Sequence, residues 1–233
     1  MERISTYNVG SESYLIVLDD THKVGHREDT TVSFKKIEDY IKVAFGSDEI
    51  VYRWGAQNYS PADSLPYIGT SPLQKNVYIA TGFEADGLIY GTAAGAILSD
   101  LITGKHNPWA EVFDPKRFTP EASAKKTIKE NIDVLAHLIK DYLVKGSEKE
   151  FASVNIGEGK IVEVRGKKAA TYRDESGNLQ VVSAICPHMG CVVHWNKAER
   201  SWDCPCHGSR FAVNGTLLEG PAFNDLENAL DEK

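Results

Sequence analysis

All four cysteines of this 233-residue chain fall between Cys186 and Cys206, and the first 185 residues contain none. They occupy two short stretches, Cys186-Pro187-His188-Met189-Gly190-Cys191 and Cys204-Pro205-Cys206-His207-Gly208-Ser209. A disulfide scaffold spreads its cysteines along a small secreted chain, whereas a metal site gathers them. The useful pairing is Cys-x-His in the first stretch and Cys-x-x-His in the second. Soft thiolates and imidazoles are ligands for zinc, iron or iron–sulfur.

Two readings compete for these ligands. A structural zinc site of Cys2His2 type needs only four N/S donors in a tetrahedron. A Rieske [2Fe–2S] centre uses two Cys on one iron and two His on the other. Zinc leaves Cys191 and Cys206 without a role, although both sit at fixed offsets inside the ligand stretches. The surroundings add to this: Trp195-Asn196 precedes the second stretch and Ser209-Arg210-Phe211 follows it. Asn214-Gly215-Thr216 then leads into Gly220-Pro221-Ala222.

Over residues 150–228 the chain closely resembles the Rieske family. The resemblance implies that Cys186 and Cys204 ligate the inner iron, and that His188 and His207 ligate the outer, more exposed one. It implies a disulfide between Cys191 and Cys206 that ties the two loops together. It also implies that the Ser209 hydroxyl hydrogen-bonds a cluster sulfur and stabilises the reduced form, and that Gly220-Pro221 covers the cluster. Phe211 stands where quinol-oxidising members often have Tyr. His194, outside both boxes, reads as an ordinary surface histidine on a strand. The ligand mixture has a chemical reason. Two neutral imidazoles in place of two thiolates remove two negative charges, so an added electron is easier to hold and the potential rises. Imidazoles can also lose protons, which allows reduction to couple to proton uptake.

The elements that position these residues follow from periodicity. Lys160–Val164, Ala169–Arg173 and Leu179–Ser183 alternate as strands, and Asp174-Glu175-Ser176-Gly177-Asn178 is a turn cluster joining the last two. Residues 119–146 predict one long helix with Thr119 as cap, Pro120 in the first turn and Gly146 at its end. Ile128, Ile132, Leu135, Ile139 and Tyr142 give it a single apolar stripe. Further upstream, Tyr14–Leu18 reads as a buried strand and Phe34–Phe45 as a helix. Val77–Ala80 reads as a strand that runs into Gly82-Phe83-Glu84-Ala85-Asp86-Gly87-Leu88. A helix rich in small residues follows and ends near Gly104. A strand, a glycine turn and a helix N-terminus together offer backbone N–H groups to an electron-rich atom.

Residues 14–118 resemble the C-terminal part of FAD-dependent oxidoreductases of the D-amino acid oxidase/glycine oxidase type. The matching stretches are His22-Lys23-Val24-Gly25, Trp54-Gly55-Ala56-Gln57, Asp63-Ser64-Leu65-Pro66-Tyr67-Ile68-Gly69, and Ala80-Thr81-Gly82-Phe83 through Gly91-Thr92. Phe113-Asp114-Pro115-Lys116-Arg117-Phe118 closes the set. In that family the glycine turn and helix N-terminus approach the flavin's pyrimidine edge. The resemblance therefore implies Gly82, Asp86, Gly87, Leu88 and Ile89 as flavin contacts. No G-x-G-x-x-G follows a strand near the N-terminus, so the dinucleotide-binding unit is not in this sequence. The expectation is a C-terminal fragment or one half of a split protein, binding FAD only with its missing half. Glu84-Ala85-Asp86 stand where amino-acid oxidases often carry a basic residue, which argues against an amino-acid substrate.

A net charge of -7 argues against nucleic acid or an anionic membrane as the main partner. The apolar runs Tyr14–Leu18 and Ala93–Leu98 are too short to cross a bilayer. No signal pattern opens the chain, so a cytoplasmic setting is expected. The fold class expected is α+β: an oxidoreductase C-terminal segment over 1–118, a linker helix over 119–147, and an antiparallel β Rieske domain over 148–233. The function expected is electron transfer by the C-terminal half of a flavin–Rieske oxidoreductase, passing electrons between FAD and a [2Fe–2S] cluster. Its partner would be a redox protein or a small electron acceptor. The alternatives are a non-catalytic, ferredoxin-like Rieske module whose N-terminal region docks a partner, and a zinc-stabilised interaction domain.

Overall fold

The computed structural model describes residues 3–19, 21–27, 29–117 and 151–230. The linker helix expected over 119–146 lies outside the described residues. Residues 1–54 together with 133–233 form one compact unit, and residues 55–132 form another.

The first unit opens with an antiparallel hairpin of β1 (Arg3–Val9) and β2 (Glu12–Leu18). The apolar run Tyr14–Leu18 is thus a strand but not a buried one. Leu15 and Leu18 are exposed, because a two-stranded ribbon has no second layer to cover both faces. Helix α1 (Thr31–Phe45) follows and ends at Gly46, whose N–H bonds Lys42 O. Its cap residue Thr30 makes no side-chain cap bond. The Thr30 hydroxyl instead donates to Asn196 Oδ1 at 2.6 Å and accepts from the Ala198 N–H at 3.1 Å.

The C-terminal part of this unit holds two antiparallel sheets. One has the order β5–β6–β7, with β5 Gly159–Val164, β6 Lys167–Arg173 and β7 Leu179–Ser183. The third matches its alternating run, the first and second contain theirs and begin at Gly159 and Lys167, and Asp174 Oδ1 accepts the N–H groups of Ser176 and Asn178 in the joining turn. The other has the order β11–β10–β9–β8, with β8 His194–Asn196, β9 Ser201–Asp203, β10 Arg210–Ala212 and β11 Leu217–Glu219. Their shared core includes Tyr172, Val182, Val193, Trp202 and Phe211, with Cys186, Cys191 and Cys204 among them. Tyr172 stacks on Trp195 at 5.3 Å, and Trp195 leans on Trp202 at 4.8 Å. Such aromatic pairs bury large areas and fix their mutual geometry.

The second unit pairs β3 (Tyr67–Thr70) with β4 (Tyr78–Thr81), followed by α2 (Gly87–Ile102) and the short α3 (Ala110–Phe113). Ile68, Ala94 and Ile97 form its core. Arg117 grips Asp63 with two N–H···O bonds, Nε to Oδ2 at 2.7 Å and Nη2 to Oδ1 at 2.8 Å. Its guanidinium also lies 4.1 Å above the Tyr67 ring. Two of the stretches singled out in the sequence, 63–69 and 113–118, therefore meet in one buried ion pair. The architecture is mixed helix and antiparallel sheet, as expected from the sequence.

Candidate metal centre

The two cysteine stretches fold as duplicate loops. In the first, the Cys186 N–H donates to Cys191 O at 2.8 Å and the Gly190 N–H to Cys186 O at 3.0 Å. In the second, the Cys204 N–H donates to Ser209 O at 2.8 Å and the Gly208 N–H to Cys204 O at 3.0 Å. Gly190 and Gly208 hold equivalent positions with φ of 77° and 80°, a left-handed conformation that side chains disfavour. Ile185 bridges Val192 across the neck of the first loop, and Asp203 pairs with Arg210 across the neck of the second. Under this superposition His188 corresponds to Cys206, and Met189 to His207. The duplication explains why the histidine spacing differs by one between the boxes although the loops are alike.

Cys191 and Cys206 form a disulfide, with Cα atoms 6.5 Å apart. The sulfurs of Cys191, Cys204 and Cys206 lie within 4.8 Å of one another. Two of these are bonded to each other and offer no thiolate, so this trio is not a ligand set. The free thiols are Cys186 and Cys204, both buried. The His188 and His207 rings meet edge to face, with centroids 4.8 Å apart. His188 Nδ1 is buried without a hydrogen-bond partner, and His207 Nδ1 is buried as well. Two buried thiols and two facing imidazoles thus lie on two loops tied by a disulfide. That donor set fits a cluster with mixed ligands.

Electrostatics at the two thiols are coupled. The Cys204 thiol donates to Cys186, which lowers the Cys186 pKa to about 6, helped by the His188 N–H and the Ser209 hydroxyl. Cys204 is pushed up, because its proton is held by Cys186 and because it is buried. Metal binding removes both protons, so affinity for a metal rises with pH. Ser209 is fully buried and its oxygen accepts the Ala222 N–H at 3.0 Å, which links the second loop to the Gly220-Pro221 segment. Phe211 is fully buried in the core beneath.

A charged network closes the neck of the second loop. Arg210 reaches Asp203 at 3.3 Å, Glu199 at 2.9 Å and Glu219 at 3.7 Å. Burial opposes the Arg210 charge, but the carboxylates of Asp203, Glu199 and Glu219 outweigh it and raise its pKa. Asp203 in turn accepts from Asn196 Nδ2 at 2.8 Å and from Ser201 Oγ at 2.8 Å.

Some contacts at this site are not readable from the motifs. His194 lies on a strand as expected, yet it is half-buried rather than a plain surface residue. Its Nδ1–H donates to Gly25 O at 2.6 Å. His26 Nε2 lies 2.9 Å from Pro205 O. The only hint in the sequence was the His22-Lys23-Val24-Gly25 stretch, noted there for its resemblance and not for any contact with the ligand loops.

In the second unit, Gly82 is buried and the turn leads into α2, whose first residue is Gly87. Asp86 precedes the helix without a side-chain cap bond. Leu88 is 92% exposed and Ile89 69% exposed. With Gly82 buried and Gly87, Leu88 and Ile89 open to solvent, these five residues do not by themselves enclose a flavin.

The family model for the Rieske [2Fe-2S] domain matches residues 146–229, and that for FAD dependent oxidoreductase matches residues 9–101. A Rieske 2Fe-2S iron-sulfur protein of Bacillus subtilis, YhfW, is 37% identical over 220 residues, 94% of this chain and 43% of that protein. The cytochrome b6-f complex iron-sulfur subunit of Chlorobaculum tepidum is 42% identical over 65 residues, 28% of this chain and 35% of that one. The chain thus spans less than half the length of either relative. The solved plasma membrane Rieske protein PetC3 from Synechocystis is 35% identical, covering 30% of this chain and 72% of that one with a TM-score of 0.29. No helix among the described residues is long and apolar enough to cross a membrane. Residues 146–229 match the Rieske [2Fe-2S] domain family, residues 9–101 match the FAD dependent oxidoreductase family, and both matches fall within this one chain.

Proposed function

We propose that Cys186, His188, Cys204 and His207 hold a [2Fe–2S] cluster through which the protein passes single electrons. The observation that carries this reading is the pair of buried free thiols of Cys186 and Cys204, hydrogen-bonded to each other in duplicate loops, with the edge-to-face imidazoles of His188 and His207 on the same loops. A buried imidazole nitrogen without a partner is costly, and a bound metal would give His188 Nδ1 one. When bound, the cluster supplies reversible one-electron chemistry at the imidazole-ligated iron. The His188 and Cys206 amides and the Ser209 hydroxyl donate hydrogen bonds to the ligand sulfurs. The disulfide holds the loops in place whether or not the cluster is loaded.

The wider arrangement is a flavin–Rieske oxidoreductase, organised as 1–118, 119–147 and 148–233, which exchanges electrons with a redox protein or a small acceptor. Gly82, Asp86, Gly87, Leu88 and Ile89 would supply one wall to FAD, with the dinucleotide-binding unit supplied from outside this sequence. The match of residues 9–101 to the oxidoreductase family supports it. The cluster is tested by iron and labile sulfide counts with EPR on anaerobically purified protein. Two irons and two sulfides are expected, and stoichiometric zinc without sulfide overturns the assignment. The flavin part is tested separately by gel filtration of FAD with this chain and a supplied dinucleotide-binding half. FAD should be retained by the pair, and less of it with Leu88→Asp. No retained FAD, or equal retention in the variant, overturns it.

A further inference from the structure

The stretch from His22 to Arg27 lies inside the region matched by the oxidoreductase family, yet it packs on the second ligand loop. A Cβ on Gly25 would stand 2.7 Å from Pro205 N, 2.8 Å from Pro205 Cα and 3.0 Å from Asp203 O. Backbone therefore meets backbone with no room for a side chain, and φ of +71° at Gly25 suits glycine. Two bonds fix the contact. The His194 Nδ1–H donates to Gly25 O, and His26 Nε2 faces Pro205 O, 179 positions away in sequence. A carbonyl oxygen only accepts, so His26 carries its proton on Nε2 and donates.

Pro205 O and the Cys206 N–H belong to the same planar peptide group. That N–H, with the N–H of His207, is one of the two backbone donors turned toward Cys204 Sγ. A donor placed on the oxygen draws electron density through the conjugated peptide and makes its N–H a stronger donor, as in any hydrogen-bonded chain. Stronger donation to a ligand sulfur favours the more negative, reduced cluster.

We propose that His26 raises the reduction potential of the cluster by polarising the Pro205–Cys206 peptide, whose N–H bonds the Cys204 sulfur. His26 is then a positioning residue, contributed by the oxidoreductase-like region and acting on the cluster through two hydrogen bonds and one peptide. The inference rests on Cys204 being a cluster ligand, and the test separates the two ideas.

Protein-film voltammetry at fixed pH is carried out on the full chain and on His26→Ala, His26→Gln and His26→Met, each with its iron, sulfide and EPR signal recorded. A wild-type protein without iron and sulfide would fail the ligand assignment itself, and with it this inference. With the cluster loaded, His26→Ala lowers the midpoint potential at unchanged cluster content. His26→Gln, whose amide can still donate to Pro205 O, recovers part of the fall. Should the alanine variant lose its cluster, the comparison rests on Gln and Met, which are alike in length and differ in donation. The Met variant is expected to lie lower. An unchanged potential in a loaded His26→Ala, or equal potentials in Gln and Met, overturns the proposal.

Discussion

Asp203 and Arg210 face each other across the neck of the second ligand loop, one residue before Cys204 and one after Ser209. Their counterparts across the first loop are the apolar pair Ile185 and Val192. One loop is therefore framed by packing and the other by charge.

The charged frame makes a stability prediction. Arg210→Ala leaves the Asp203 carboxylate, 4% exposed, without its buried counter-ion. Removing one partner of a buried pair costs about 3–5 kcal/mol. Urea denaturation should show a loss in that range. A loss below about 1 kcal/mol would mean that Asn196 and Ser201 suffice for Asp203.

A second prediction concerns the thiols. After acid removal of any metal, alkylation under denaturing, non-reducing conditions should modify Cys186 and Cys204 only. Intact mass then shows two labels, rising to four after reduction. The bridge closes a separation of 15 residues, and a loop of that size is worth about 3 kcal/mol to folding. Four labels without reductant would contradict the pairing.

The Ser209 hydroxyl gives a third. It donates to Cys186, and a hydrogen bond to a charged group contributes about 1.5–3 kcal/mol. Ser209→Ala should lower the midpoint potential by at most roughly 65–130 mV, since about 1.4 kcal/mol corresponds to 59 mV for one electron and only the part of the bond gained on reduction counts. Phe211→Tyr should raise it, provided its new hydroxyl reaches a sulfur. Voltammetry on both variants, at equal cluster content, decides the matter. No shift in the Ser209 variant would remove that residue from the account.

The fourth lies in the other unit. Asp63→Ala strands Arg117, of which 10% is exposed, and costs about 3 kcal/mol or more. Hydrogen exchange along Tyr67–Thr70 should speed up, because Arg117 also holds Pro66 O and stacks on Tyr67. Unchanged exchange there would show that β3 does not depend on the ion pair.

How much of this was readable from the sequence depends on the range of the contacts. The strands β5–β7 were legible because each alternates along its own length, and the Asp174–Asn178 turn is built from local side-chain bonds. Helix α1 was legible in the same way. Tyr14–Leu18 is less buried than its composition suggests, because an apolar run records propensity and not what covers it. Its partner Arg3–Val9 carries few apolar residues and gives no signal of its own. The two cysteine–histidine boxes were visible through their residue types and spacing. The equivalence of the two loops was not, since it lies in backbone bonds that Gly190 and Gly208 permit. The contact of Gly25 with Pro205 joins segments 180 positions apart, and no periodicity encodes such a meeting.

That contact bears on how the protein can be dissected. Cutting out residues 148–233 as a free-standing domain would strip Gly25, His26 and Thr30 from the second loop and from Asn196. The Pro205 carbonyl, the His194 ring and the Asn196 amide would then face water. An excised domain could keep its ligands and its disulfide and still report a different electrochemistry from the parent chain. Its boundary in function is therefore not its boundary in sequence: the piece that completes the electron-transfer module begins more than a hundred residues upstream.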